Sequence, residues 1–201
     1  MMQSSLNDFH ESLSQLKTLV EHMESLNVSL DRRYLDLIAA TAKSSVVLSC
    51  GYYENFLKGS FMEFIENVNS MSVQNDCIRD AVWDTNIKKT IDVLRYKDQK
   101  NSEYSKIVLD YASFFKEDKK KSKPVLIREA FIISGSNPKY EVLKGFFNGI
   151  GVKIEHNKLL NDEFRNIEIF KSRINAFVEL RNSFAHGDKS MSISSLQEVK
   201  D

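Results

Sequence analysis

The chain has little of several things, and each shortage removes a class of function. Only two prolines occur in 201 residues, so long helices can form without interruption. Two cysteines, Cys50 and Cys77, sit far apart with no C-x-x-C spacing, which excludes a disulfide framework and a zinc ribbon and fits free thiols in a reducing cytoplasm. Charge of either sign is not in excess: 28 basic residues balance 28 acidic ones. Bulk electrostatic attraction to nucleic acid is therefore excluded, and any contact with a polyanion must come from a local patch. No apolar run reaches membrane-spanning length, and Met1-Met2-Gln3-Ser4-Ser5 lacks a basic region leading into an apolar core, so a soluble, intracellular protein is expected. There is no internal repeat, no phosphate-cradling glycine loop and no Ser/His/Asp arrangement. His10, His22 and His156 form no metal-ligand pattern, so no metal and no cofactor are expected.

What is present is helical periodicity. A hydrophobic fraction of 42% is enough to bury a core, and one domain over residues 1–201 is expected. Leu6, Phe9, Leu13, Leu16, Leu19, Val20 and Met23 repeat at helical spacing between about Ser5 and Leu26. Asp31 can cap a second, long helix running to about Asn69, with Gly51 and Gly59 allowing close packing or a bend. Helices near Asn75–Tyr96 and Ser102–Lys116 follow, inside a segment of about 71–123 that matches no motif and reads as a helical insertion. Lys116 to Lys123 carries five lysines before Pro124 and reads as a solvated loop rather than an RNA-backbone contact. Val125 to Ile133 is dense in β-branched residues, so a short strand and a helix are both compatible there. Near the end, Ser195-Leu196-Gln197-Glu198 has the form of a capping box. The helix it announces is cut short at Asp201, which suggests a trimmed chain or a partner covering the core.

The informative stretch is Leu180-Arg181-Asn182-Ser183-Phe184-Ala185-His186-Gly187. Phe164, Ile167, Phe170, Ile174, Phe177 and Val178 recur at steps of three and four and draw one apolar stripe on a helix, and Arg181 falls on it. A cation on an apolar face needs a partner. On an unbroken helix residues five apart are rotated by about 140°, so either the helix unwinds inside this stretch or Arg181 and His186 each meet a target separately. Gly187 marks the stop, which puts His186 at a helix end close to solvent. Arginine offers a permanent charge and a fork of donors for phosphate oxygens, and histidine gives or takes a proton near neutral pH. Together they suit phosphodiester chemistry.

Glu54 is the second candidate, because Val47, Gly51, Leu57 and Phe61 place it on an apolar stripe of its own helix. It could orient Arg181 or His186, or it could be half of a structural Glu–Arg pair joining two helices.

The run Arg181 to His186 resembles the R-N-x-x-x-H signature of the HEPN superfamily, with Ala185 and Gly187 flanking the histidine as members often have. Asn137-Pro138 opening a short helix through Phe147 that stops at Gly149-Ile150-Gly151 looks like the RiboL-PSP-type branch. The helix Ser45 to Val68, with Tyr52, Tyr53, Glu54 and Phe56, is similar to the early family helix whose acidic residue faces the motif. This resemblance implies an all-α, HEPN-like up-and-down helical bundle with additional inserted helices. It also implies a metal-independent endoribonuclease, used as a toxin or in phage defence, in which two motif copies meet across a homodimer cleft and RNA is cut by its own ribose 2′-hydroxyl. His186 would then be the general acid or base, Arg181 would clamp the scissile phosphate, Asn182 would be a polar helper and Glu54 would complete the catalytic set. The alternative is a non-catalytic interaction module that pairs with a nucleotidyltransferase-like antitoxin or another defence subunit.

Overall fold

The apolar spacing read from the sequence becomes helix wherever backbone placement is defined. The computed structural model describes residues 3–25, 32–71, 74–96, 102–116, 125–132, 138–154 and 167–187. Six α-helices occur among them: α1 (Gln3–Ser25), α2 (Arg32–Ser70), α3 (Asp80–Tyr96), α4 (Ser102–Lys116), α5 (Tyr140–Gly149) and α6 (Ile167–Ala185). No strand occurs among the described residues, which are all-α as the sequence implies. No described helix is long and apolar enough to cross a membrane. Asp31, His156, Phe164, the lysine run after Lys116 and the capping-box residues Ser195 to Glu198 lie outside the described residues.

The chain divides into two compact units. The first comprises Met1–Met2, Lys58–Gly135 and Glu141–Asn161; the second comprises Gln3–Leu57, Ser136–Tyr140 and Asp162–Asp201.

In the first unit, Ile65, Val68, Val82, Ile107, Leu126, Ile127, Ala130 and Phe131 are buried together, with Trp83, Leu94 and Ile150 packed around them. Of the Val125 to Ile133 segment, residues 125–132 are described, and they form neither strand nor α-helix. Its backbone is claimed by two asparagines: Asn69 Oδ1 accepts from Leu126 N at 2.8 Å while its Nδ2 donates to Leu126 O at 2.9 Å, and buried Asn86 accepts from Ile127 N at 2.7 Å. With those groups satisfied by side chains, no sheet partner is needed, and the chain turns through a 3₁₀ helix at Arg128–Phe131. The single helix expected over Asn75–Tyr96 is instead a 3₁₀ turn at Asn75–Cys77 followed by α3. The N–H groups of Val82 and Trp83 both reach back to Arg79 O, so helix bonding starts afresh there, and Asp80 adds a favourable charge in the first turn.

α5 ends in a Schellman motif. Gly151 N donates to Asn148 O at 2.9 Å and Val152 N to Phe147 O at 2.8 Å, with Gly151 at φ +75°. A Cβ on Gly151 would stand 2.8 Å from Arg79 Cδ, and Arg79 cannot retreat freely because its guanidinium donates to Gly151 O. Gly151→Ala combines left-handed strain with that clash and is expected to cost about 2 kcal/mol, read as a lowered chemical-denaturation midpoint.

In the second unit, Val20, Met23 and Ala42 are buried together against Ile38. Phe9 stacks on Phe56 at 4.9 Å, Tyr53 meets the edge of Phe177 at 6.4 Å, and Tyr140 meets Phe170 at 6.2 Å. Asn175 accepts from Tyr140 N at 3.0 Å, which ties Tyr140 to α6. The stripe on α6 thus faces inward, with Val178 fully buried at its centre. α2 runs unbroken through Gly51, and a Cβ there would meet nothing within 4 Å, so this glycine marks no close packing contact.

Candidate functional site

α6 carries Arg181 in its last turn, on the inward stripe, as the periodicity implies. Its partner is Glu54 of α2: Nη2 lies 3.9 Å from Oε2, with only 19% of the arginine side chain and 11% of the glutamate side chain exposed. The separation is at the outer limit of an ion pair, and burial is what makes it matter, because charges this far from water are poorly screened. Arg181 Nη1 also donates to Asn182 Oδ1 at 2.9 Å. Glu54 Oε1 is buried without a hydrogen-bond partner among the described residues.

His186 is placed differently. The helix does not unwind inside the motif: His186 N donates to Asn182 O at 3.0 Å, a regular helical bond, and Gly187 N then closes on Phe184 O at 3.1 Å with φ +72° at Gly187. Of the two possibilities read from the spacing, unwinding inside the motif does not occur. Arg181 and His186 do not share a face; the arginine points inward to Glu54, and the imidazole is exposed at the helix end. Asn182 connects them. It holds the guanidinium through Oδ1, and it lies one turn below His186, about 40° away around the axis.

Two residues of this site did not stand out in the sequence. Cys50 lies one turn before Glu54 and is fully buried. Burial pushes its thiol up, the Arg181 charge pulls it down and Glu54 pushes it up again, so it sits in the field of both partners. Tyr53, packed on Phe177, has its phenol pushed above the ordinary tyrosine range by burial, with Cys50 adding to the shift. The available signal was positional: four residues before a buried carboxylate is the same helix face. Both Cys50 and Cys77 are free thiols.

The arrangement offers an enclosed guanidinium, restrained by a carboxylate and an amide, and a solvent-facing imidazole at the adjoining helix terminus.

Comparison with known proteins places most of this chain in one group. Residues 7–201 match the family model described as RiboL-PSP-HEPN. No curated protein and no solved structure matches the chain.

Proposed function

The chain belongs to the RiboL-PSP-HEPN family, and from that membership we propose that it is an endoribonuclease that cuts RNA without a metal, as a toxin or phage-defence effector. The observation that carries this reading is Arg181, held by Glu54 and Asn182 in the last turn of the helix that ends at an exposed His186.

In the reaction, the ribose 2′-oxygen attacks the adjacent phosphorus and the bond from phosphorus to the 5′-oxygen breaks. One proton leaves the 2′-hydroxyl and one is delivered to the departing 5′-oxygen, giving a 2′,3′-cyclic phosphate and a 5′-hydroxyl. His186, exposed at the helix end and open to substrate, is the proton carrier. Arg181 stabilises the charge that builds on the non-bridging oxygens, and Asn182 and Glu54 hold its guanidinium in place. One histidine per chain cannot both take and give a proton in a single step. The family's paired arrangement supplies the second from another copy across a homodimer cleft.

A second reading follows from the same geometry, since an arginine this buried and already facing a carboxylate also serves as a helix-joining pair. On that reading the chain is a non-catalytic HEPN module whose partner is a nucleotidyltransferase-like antitoxin or another defence subunit.

Purified protein incubated with single-stranded RNA in excess chelator separates the two. The nuclease reading requires cleavage that persists in chelator, cyclic-phosphate ends, and a solution mass of twice the 23.2 kDa chain. Intact RNA at high protein concentration refutes it and leaves the module.

A further inference from the structure

Three residues beyond Arg181 on α6, and so on nearly the same face, stands Phe184, half-buried at the helix end. Lys43 of α2 lies over its ring, with Nζ 5.6 Å from the centroid. Lys43 and Glu54 share one face of α2, since eleven residues return to within about 20° of the starting direction. The contacts run in opposite senses along the two helices: Tyr53 meets Phe177, and ten residues earlier Lys43 meets Phe184. Lys43 therefore belongs to the His186 end of α6.

The charge at this end is unevenly committed. Arg181 is matched by Glu54, whereas Lys43 rests on a ring face and, among the described residues, on no carboxylate. In a chain with no net charge, such a local cation counts for more in attracting a polyanion. An aromatic ring beside a lysine offers the two things a single-stranded nucleotide presents surfaces for: a plane on which a base can stack and a charge for its phosphate.

We infer that Lys43 and Phe184 form a nucleotide subsite flanking the scissile phosphate, in which Lys43 swings from the Phe184 ring to a backbone phosphate and a neighbouring base takes its place on the ring. This rests on the nuclease reading and assigns it a substrate class, single-stranded RNA with an unpaired base beside the cut. Duplex RNA, whose bases stay stacked inside, would leave the ring unused.

The test is binding of a 2′-O-methyl oligoadenylate of about 12 nucleotides, within the range of single-strand site sizes and unable to be cut by its own 2′-oxygen, measured across a salt series alongside cleavage of ordinary RNA. Lys43→Gln is expected to flatten the log–log salt slope by about 0.7, the value of one lost phosphate contact on a single strand. Phe184→Leu is expected to weaken binding about tenfold, and Phe184→Tyr to retain it. Circular dichroism reports whether each variant is folded; should Phe184→Leu unfold, the Lys43→Gln slope decides. Wild-type protein that neither binds nor cuts RNA overturns the nuclease reading and the subsite together. Normal wild-type cleavage with an unchanged salt slope in Lys43→Gln overturns the subsite alone.

Discussion

His186→Ala is expected to lower RNA cleavage by about 10²- to 10⁴-fold and to leave folding unchanged. The two halves of that outcome have separate causes. The imidazole is exposed beyond the last turn of α6, with Gly187 rather than its own side chain ending the helix, so removing it leaves no cavity and no buried group unsatisfied. What is lost is the proton carrier. Equal cleavage by the two proteins, with matching thermal midpoints, would remove His186 from the reaction. The same variant should relieve any growth defect that expression of the wild-type chain causes.

How far the site could be read from the sequence follows from which signals are local. The stripe from Ile167 to Val178 fixes both α6 and the inward aim of Arg181, because side-chain direction repeats with the helix and needs no tertiary information. Gly187 announces the end of that helix for the same reason. The demand that Arg181 find a carboxylate could be stated in advance, and Glu54 was one of the few acids on an apolar stripe. Which atoms would meet could not be stated, since that depends on how α2 lies against α6. Cys50 and Tyr53 escaped because neither departs from what a core position allows; only the Glu54–Arg181 contact makes their neighbourhood informative. Lys43 escaped for a similar reason, as its contact with Phe184 joins residues 141 positions apart. In the other unit, the density of β-branched residues around Ile127 misled because the competing signal was non-local. Asn69 and Asn86, from α2 and α3, take the backbone groups that a strand would otherwise have offered to a neighbour.

The largest effect on stability is expected at Glu54. Glu54→Leu removes the carboxylate that faces the enclosed Arg181 guanidinium, and breaking one side of a buried pair is far costlier than losing the pair outright. The 3.9 Å separation and the residual exposure place the expected loss at the low end of that range, about 3 kcal/mol, measured by chemical denaturation. Adding Arg181→Met to Glu54→Leu replaces two charges by two apolar side chains of similar volume and should recover most of the loss, because no ion is left to be desolvated. Cleavage should behave in the opposite way. The single variant keeps a guanidinium that has lost its restraint, so some phosphate clamping survives in whatever fraction is folded; the double variant is stable and has no clamp at all. A rise in stability together with a further fall in cleavage, from single to double variant, would assign the pair a part in the reaction. If both quantities recover together, Glu54 and Arg181 join two helices and nothing more, and the phosphate must be held by other residues.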